Sequence, residues 1–206
     1  MLSSHANYTW SSVNVGEEQQ IIQALNAVDA IDTLIVSAGK HLSATILDTC
    51  TPQLVELVNL NLFGAYWLIQ HALPIMIKQN YGNIVTIGSD QYLIAKPHST
   101  VYGMTKAALA QLTKSIALDY AANKIRANCI GCGTINTPLY RRAIENYAKK
   151  SDIDISIIEG EENAQQPLGR IGNADEVAQL AFFLASAGAE YITGAYIPID
   201  GGYTIK

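Results

Sequence analysis

Residues 84–106 read Ile-Val-Thr-Ile-Gly-Ser-Asp-Gln-Tyr-Leu-Ile-Ala-Lys-Pro-His-Ser-Thr-Val-Tyr-Gly-Met-Thr-Lys. The first four residues form a short apolar run, which is typical of a strand buried on both faces. Tyr102 and Lys106 are four residues apart, so a helix places them on one face. With Ser89 just after the apolar run, the stretch predicts a strand, a loop and a helix that meet at one cleft.

Short apolar runs and helical periodicity alternate along the rest of the chain. Strands separated by helices predict an α/β fold with a Rossmann-like doubly wound parallel sheet. No repeat or linker divides the sequence, so residues 1–206 are predicted to be a single domain, with 137–168 as a polar loop-helix excursion over the strand ends. The predicted strands are residues 8–15, 31–36, 84–87, 125–130 and 196–199, and the predicted helices are 16–28, 51–79, 100–121 and 173–185.

The helix predicted for residues 51–79 is long and apolar, and it contains Pro74. Because proline lacks a backbone N–H, Pro74 predicts a kink or the end of one helical segment. No run of eighteen uninterrupted apolar residues occurs in the chain, so no membrane partner is predicted.

The amino-acid composition argues against nucleic acid as a partner and indicates a reducing cellular compartment. The chain has a net charge of −5 and no cluster of basic residues, so it is predicted not to bind nucleic acid. The start lacks the basic and apolar regions of a signal peptide, and an odd count of three cysteines is typical of a reducing compartment. These features predict a cytoplasmic protein.

Cys129 and Cys132 form a C-x-x-C pair, which raises the question of a metal site. A structural zinc needs two more ligands at suitable spacing, and the remaining Cys50 and scattered histidines do not supply them. We therefore interpret the two cysteines as small apolar residues at a strand end, and predict no metal.

Tyr102, Lys106 and Ser89 together suit proton transfer. A tyrosine hydroxyl titrates near pH 10 in water, and a nearby ammonium favours the phenolate and lowers its pKa. Ser89 is then placed to hydrogen-bond the oxygen of a carbonyl substrate while Tyr102 gives or takes the proton. The alternative is an ordinary Tyr–Lys pair on a solvated helix, because a bare Y-x-x-x-K spacing is weak evidence.

Motifs throughout residues 8–206 resemble those of the short-chain dehydrogenase/reductase family, and the tail resembles its 3-oxoacyl-carrier-protein reductase branch. The resemblance rests on many positions in the right order. They are Ser37-Ala38-Gly39, Asn61-Leu62-Phe63-Gly64, Ser89, Tyr102-Gly103-Met104-Thr105-Lys106, Gly133-Thr134-Ile135-Asn136-Thr137, Pro167-Leu168-Gly169-Arg170, Thr193-Gly194-Ala195 and Asp200-Gly201-Gly202.

The resemblance implies catalytic roles for four residues. Tyr102 would be the general acid/base, and Lys106 would lower its pKa and bind the nicotinamide ribose. Ser89 would orient the substrate carbonyl, and Asn61 would hold a water that links Lys106 to solvent as a proton relay. The alternative for Asn61 is that it caps or kinks its helix.

The family also implies a nicotinamide cofactor, NAD or NADP, which the sequence does not tell apart. Ala38 and Gly39 would let the backbone approach the cofactor ribose, and Asn14 and Val15 match a turn that touches adenine. The implied cofactor-binding residues are Asn14, Val15, Ala38, Gly39, Tyr102, Lys106, Gly133, Ile135 and Thr137.

The start of the chain departs from the family pattern. The family begins with a strand, a glycine-rich turn and a helix that bind the pyrophosphate, but the first fifteen residues here contain no glycine. The fold is therefore predicted to be N-terminally truncated relative to the family. The strand at 31–36 then becomes a sheet edge, which we expect residues 8–15 or another chain to cover.

Two functions follow from these observations. The first is an NAD(P)-dependent oxidoreductase that reduces a carbonyl or oxidises an alcohol, with a small-molecule substrate. The alternative is a non-catalytic relative that has lost dinucleotide binding and serves as an oligomeric subunit or scaffold. Apolar helices at the family's interfaces predict a homodimer or homotetramer. By position, the substrate-binding residues are Ser89, Gln91, Tyr92, Tyr102 and Tyr140, with His98 and Leu139 nearby.

Overall fold

The structure, a computed structural model, describes residues 8–206 apart from the side chain of residue 150, so the first seven residues of the predicted domain lie outside it. The strands are β1 (Thr33–Val36), β2 (Gly82–Ile87), β3 (Ile125–Cys132), β4 (Ile135–Asn136), β5 (Gly172–Asn173) and β6 (Tyr196–Ile199). The α-helices are α1 (Glu18–Leu25), α2 (Thr51–Val58), α3 (Gly64–Gln79), α4 (Thr100–Asp119), α5 (Pro138–Ser151), α6 (Ile155–Gln165) and α7 (Ala174–Ala185).

The main sheet has four parallel strands in the order β1-β2-β3-β6. Successive side chains of a strand point to opposite faces, so neighbouring residues of β2 enter different cores. Ile84 packs in one apolar cluster with residues of α3 and α4, and Val85 packs in another with residues of α7. Helices cover both faces, and the predicted doubly wound parallel sheet is confirmed.

The long helix at Thr51–Gln79 contains a π-turn at Asn59–Phe63, between α2 and α3. The alternative that a helical segment ends at Pro74 is wrong, because α3 continues through Pro74 to Gln79. The irregular turn lies instead around Asn61, where the wider winding coincides with hydrogen bonds from this side chain to the loop after β1.

By length and composition alone, the helix at Thr51–Gln79 is long and apolar enough to cross a membrane. Core helices meet the same criterion. Ala65, Ile69 and Met76 of α3 are buried in the larger apolar cluster of the fold, so the apolar character of this helix has a structural reason within the domain.

β1 forms one edge of the main sheet and pairs with β2 alone among the described strands. The expected edge is therefore present, and Ile35 on it is 49% exposed. Residues 8–15 form no strand, so the prediction of a strand there, and of its pairing with β1, is wrong. None of the strands that the structure describes pairs with this segment.

The turn that follows residues 8–15 packs against the long helix. Asn59 Nδ2 donates to the Gly16 carbonyl at 2.8 Å, and a Cβ on Gly64 would come within 2.7 Å of the Val15 carbonyl oxygen. Gly64 is thus required by the close approach of two backbones. These contacts fix the start of α1 on the helix layer rather than on the edge of the sheet.

Candidate active site

Ser89 follows the end of β2 and is fixed by three groups. Its hydroxyl lies 2.9 Å from Asp90 Oδ1, and it accepts from the Gln91 N–H at 3.3 Å, which caps a short 3₁₀ turn at Asp90–Tyr92. The Ser89 carbonyl accepts from the Tyr196 hydroxyl at 2.6 Å. Strand end, turn and a residue of β6 therefore converge on this one serine.

The β6 contact depends on a glycine in the neighbouring strand. A Cβ on Gly131 of β3 would overlap the Tyr196 ring, so this ring lies directly over the β3 backbone. The ring also packs against Tyr92, with centroids 4.5 Å apart. Glycine at position 131 is what allows Tyr196 to reach Ser89.

Tyr102 and Lys106 lie one turn apart near the start of α4, as the spacing predicts. The Lys106 ammonium is buried, lies 5.7 Å from the centroid of the Tyr102 ring, and donates to the Ile87 carbonyl at 2.7 Å. Ser89 lies near enough to Tyr102 to lower the pKa of its hydroxyl. The structure thus brings all three groups together at the carboxyl end of β2.

Burial dominates the electrostatics of the Tyr–Lys pair. It raises the pKa of Tyr102 to about 12, against a smaller lowering by the hydrogen bond with Ser89, and it lowers the pKa of Lys106. The predicted lowering of the tyrosine pKa by lysine is not what this structure has. Burial disfavours both charged forms, so the neutral hydroxyl is the resting form of Tyr102.

Asn61 lies in the π-turn and clamps the loop after β1 to the helix layer. Its Oδ1 accepts from the Lys40 N–H at 2.8 Å, and its Nδ2 donates to the Lys40 carbonyl at 2.9 Å and to Thr105 Oγ1 at 3.2 Å. Both Nδ2 hydrogens are therefore used by protein groups. The side chain forms neither of the helix caps on the long helix.

The loop after β1 is open where a cofactor ribose is expected. Ala38 and Gly39 are exposed, and a Cβ on Gly39 would lie 3.5 Å from Asn61 Oδ1 and 3.6 Å from Lys106 Nζ. Lys106 has three N–H groups, and the bond to Ile87 uses one of them. The other two suit the hydroxyls of a ribose, so this end of the site fits a nicotinamide nucleotide.

The remaining predicted cofactor residues lie on the strand-end loops. Gly133 packs against Asp200, where a Cβ would come within 2.7 Å of the Asp200 Cα. Ile135 pairs with Gly172 in the small sheet, and Thr137 Oγ1 caps α5 by accepting from Tyr140 N–H at 3.3 Å. Each of these residues therefore contributes to the local fold, whether or not it also contacts a cofactor.

The adenine-side residues lie in the turn before α1. Asn14 Oδ1 accepts from the Gly16 N–H at 3.0 Å, and Asn14 Nδ2 donates to Glu17 Oε1 at 3.0 Å. Val15 contacts Gly64 of the long helix. Asn14 therefore already shapes the entry to α1.

A family model described as enoyl-(acyl carrier protein) reductase matches residues 3–204. Dehydrogenase/reductase SDR family member 6 of Rattus norvegicus is 34% identical over 94% of this chain and 77% of its own length. The chain belongs to the short-chain dehydrogenase/reductase family. The 3-oxoacyl-(acyl-carrier-protein) reductase FabG of Thermotoga maritima is also 34% identical, over 94% of this chain and 76% of its own length.

Solved structures of this family share the fold. The aldohexose dehydrogenase of Thermoplasma acidophilum has a TM-score of 0.92 at 33% identity, over 98% of this chain and 81% of that one. ElxO, solved with NADP bound, has a TM-score of 0.87 at 29% identity, over 99% and 82%. An NAD⁺-bound xylitol dehydrogenase has a TM-score of 0.87 at 28% identity, over 93% and 78%.

These comparisons favour one of the two functional hypotheses. The relatives are named as dehydrogenases and reductases, and the chain is an oxidoreductase of the short-chain dehydrogenase/reductase type. The non-catalytic alternative is not favoured.

The substrate side differs from the sequence-based expectation in two places. Tyr92 packs on Tyr196 and its hydroxyl contacts Lys114, so it forms part of a wall. Tyr140 has a buried hydroxyl without a hydrogen-bond partner in the described part of the chain, and burial with nearby Glu162 and Glu159 of α6 raises its pKa to about 12. Tyr140 therefore lies towards α6.

Three residues of this short-chain reductase site were not foreseen. Tyr196 reaches Ser89 from 107 positions away, which no local pattern reveals. His41 packs edge-on to Tyr102 with ring centroids 4.9 Å apart. Asp90 directly follows Ser89, and its burial and ion pair were not foreseen: it is 1% exposed and pairs with Lys96 at 2.6 Å. Lys96 lies seven residues after Ser89, and nothing in the sequence around it indicates that it pairs with Asp90.

Proposed function

We propose that this chain catalyses hydride transfer between a nicotinamide cofactor and a small alcohol or carbonyl compound, with Tyr102 as the acid/base. The observation that carries the proposal is the convergence of Ser89, Tyr102 and Lys106 at the carboxyl end of β2. In open α/β sheets, ligands bind outside the carboxyl ends of the strands.

The cofactor is proposed to be NAD or NADP, and when bound it supplies or accepts the hydride at C4 of its nicotinamide. Lys106 would bind the ribose through its two remaining N–H groups, and the exposed Gly39 leaves room for the sugar. Gly133, Ile135 and Thr137 are proposed for the nicotinamide side. Asn14, Val15 and Ala38 are proposed for the rest of the nucleotide.

Tyr102 is proposed to donate its hydroxyl proton to the substrate oxygen during reduction and to take it back during oxidation. Its raised pKa supports the acid role directly, because the hydroxyl is protonated at neutral pH. Oxidation requires the phenolate, which the nearby Lys106 ammonium stabilises once the hydroxyl ionises. Asn61 is proposed to act on this path by holding the loop beside Lys106 and through a bound water.

The substrate is proposed to lie between the turn after Ser89 and the excursion at residues 137–168. Gln91, Tyr92 and Tyr140 flank this region in sequence, and Gln91 packs against the backbone of Gly103 one residue from Tyr102. We therefore expect a small substrate whose oxygen reaches Ser89 and Tyr102.

We also propose that the chain works as a homodimer or homotetramer in the cytoplasm. An apolar groove of about 470 Å³ on the long helix and α4 is lined by Leu62, Phe63, Tyr66, Trp67, Ala108 and Leu112. On the opposite side of the sheet, α7 exposes Phe182, which is 77% accessible. Apolar surfaces of this kind suit subunit contacts, and three free cysteines suit a reducing compartment.

Cofactor titration tests the proposed function. The chain is titrated with NADH and with NADPH while the cofactor fluorescence is recorded, and NAD(P)H formation at 340 nm is followed with a panel of alcohols. We expect saturable binding of one cofactor and turnover that Tyr102→Phe abolishes. No binding at millimolar concentrations of either cofactor would contradict the proposal for this chain.

A further inference from the structure

His41 lies beside the ring of the proposed acid/base. It belongs to the loop after β1, and its imidazole packs edge-on against Tyr102, with ring centroids 4.9 Å apart and an angle of 69° between the two planes. The imidazole is partly buried. Neither the proton transfer nor the proposed cofactor contacts use this side chain, although it lies next to the reacting centre.

The loop is held on both sides of His41. On one side, the Lys40 backbone bonds the Asn61 side chain through its N–H at 2.8 Å and its carbonyl at 2.9 Å. On the other side, the Ala44 N–H donates to the His98 carbonyl at 2.8 Å, just before α4 begins. The imidazole therefore projects from a segment that is tied to the long helix and to the start of α4, so the fold sets its distance from the cleft.

One imidazole nitrogen has a hydrogen-bond partner, and the other has none in the described part of the chain. Nε2 lies 3.4 Å from the hydroxyl of Ser99, which is buried at the start of α4. Burial, with a smaller contribution from the Lys96 ammonium, lowers the pKa of His41 from its ordinary value of 6.5, so the imidazole is neutral at pH 7. A neutral imidazole has one donor and one acceptor nitrogen. Nδ1 therefore has one hydrogen bond left to make.

We propose that His41 binds a second hydroxyl group of the substrate, on a carbon near the one that reacts, so that the site favours polyhydroxy substrates over simple alcohols and ketones. The inference rests on the proposed oxidoreductase function and names the substrate class. Tyr102 keeps its role in proton transfer, and Ser89 keeps its role at the reacting oxygen. His41 contacts a different oxygen of the substrate and is a specificity-determining residue.

A hydroxyl suits this nitrogen better than a charged group does. Because a hydroxyl both donates and accepts, it pairs with Nδ1 in either tautomer of the imidazole. A substrate carboxylate would need a cation here, but His41 is neutral and the Lys96 ammonium is already paired with Asp90 at 2.6 Å. A substrate ammonium would be repelled by the Lys96 charge. An uncharged polar group is therefore what this part of the cleft binds best.

The preference over a simple alcohol follows from the hydrogen bond to Nδ1. A bound substrate with only carbon at this position shields the nitrogen from water without offering it a partner. A polyhydroxy substrate replaces the lost contact with a bond of its own. A single hydrogen bond of this kind corresponds to about a threefold to tenfold difference in binding.

A matched pair of substrates tests this preference. The compounds cis-1,2-cyclohexanediol and cyclohexanol share a ring and a secondary hydroxyl, and only the diol carries the neighbouring second hydroxyl. We expect His41→Phe, which keeps an aromatic ring against Tyr102, to lower kcat/KM for the diol about threefold to tenfold relative to cyclohexanol. His41→Gln, which keeps a donor and an acceptor, should retain part of the preference for the diol. A general disturbance of Tyr102 would instead lower both kcat/KM values alike.

A second histidine provides the matched control. His71 lies on α3, and its Nε2 is 2.9 Å from Glu18 Oε1. His71→Phe makes the same chemical change away from Tyr102 and should leave the ratio of the two kcat/KM values unchanged. An unchanged ratio in His41→Phe, or an equal change of the ratio in His71→Phe, would overturn the inference.

NMR of the imidazole nitrogens tests the contact without turnover. The protein, labelled with 15N-histidine, is titrated with each compound in the presence of reduced cofactor, with which an alcohol does not react. The spectrum of His41→Phe assigns the His41 signals. We expect the diol to shift the Nδ1 signal of His41 and cyclohexanol to leave it in place.

An unshifted Nδ1 signal at the solubility limit of the diol, or an equal shift with both compounds, would also overturn the inference. If the wild type oxidises neither compound, the proposed function fails. The titration still decides in that case whether His41 binds the second hydroxyl, so the two failures are told apart.

Discussion

The two sides of the cleft differ in how firmly the fold holds them. Ser89 lies after β2, a central strand paired on both sides, and it is fixed by Asp90, Gln91 and Tyr196. The loop with Gly39 follows β1, which is an edge strand, and Asn61 clamps it through the next residue. The proton-transfer side is thus built from the core, whereas the ribose side follows an edge strand and is held there by Asn61.

The largest effect should come from the proton-transfer side. Tyr102→Phe removes the hydroxyl that gives and takes the proton, so we expect turnover to fall by about 10²–10⁴-fold while cofactor binding persists. Steady-state rates and cofactor titrations measure the two effects. Tyr191→Phe, at a fully exposed position, serves as the control. Equal rates for both variants would show that Tyr102 is not the acid/base.

The burial of Tyr102 should also make stability depend on pH. Its folded pKa is raised to about 12 from 10, so the stabilisation is fully present below pH 10 and is lost as pH rises through 12. Urea unfolding of wild type and Tyr102→Phe from pH 9 to pH 12 should show their difference in unfolding free energy changing by about 2–3 kcal/mol. Parallel curves for the two proteins would show that the hydroxyl is not buried as described.

The central strand should tolerate substitution poorly. Gly131→Ala puts a Cβ into the Tyr196 ring, so this ring must move away from Ser89. We expect the free energy of unfolding to fall by about 1–3 kcal/mol, as for other overpacked cores. Thermal denaturation measures the loss, and Gly160→Ala, where a Cβ would meet nothing within 4 Å, is the control. A variant as stable as wild type would contradict the described packing.

The edge side should show the smallest effect on stability. Gly39→Ala adds a Cβ at ordinary contact distance, 3.5 Å from Asn61 Oδ1 and 3.6 Å from Lys106 Nζ. We expect unfolding to change by less than about 0.5 kcal/mol, as at a tolerant surface site. Cofactor affinity should nevertheless fall, because the methyl occupies room proposed for the ribose. Affinity equal to wild type would place the ribose elsewhere.

Much of the fold could be predicted from short apolar runs because central parallel strands are buried on both faces. The strands at 31–36, 84–87, 125–130 and 196–199 were all found in this way. The strand expected at 8–15 failed because pairing depends on a partner that local pattern does not contain. The π-turn was missed for a related reason, since Pro74 is visible in sequence but the clamp by Asn61 is not.

The site was predictable in its residue types and less so in its environment. The spacing of Tyr102 and Lys106 gave their shared helical face, and family motifs gave Ser89. The sequence did not show how deeply the side chains of the site are buried. This burial reverses the expected direction of the Tyr102 pKa, and it makes Asp90 a buried partner of Ser89.

The π-turn also determines the directions in which the side chains of the two halves of the long helix point. Leu57 before it and Leu73 after it are both buried, sixteen residues apart. A regular α-helix rotates about 100° per residue, so these two side chains would differ in direction by about 160°. One extra residue absorbed in the wider turn cuts that angle to about 60°. Deleting one residue from Asn59–Phe63 would therefore regularise the hydrogen bonds and leave Leu57 and Leu73 at about the same angle. Rewinding the turn as regular α-helix with all its residues kept would instead turn one half of the helix away from the domain.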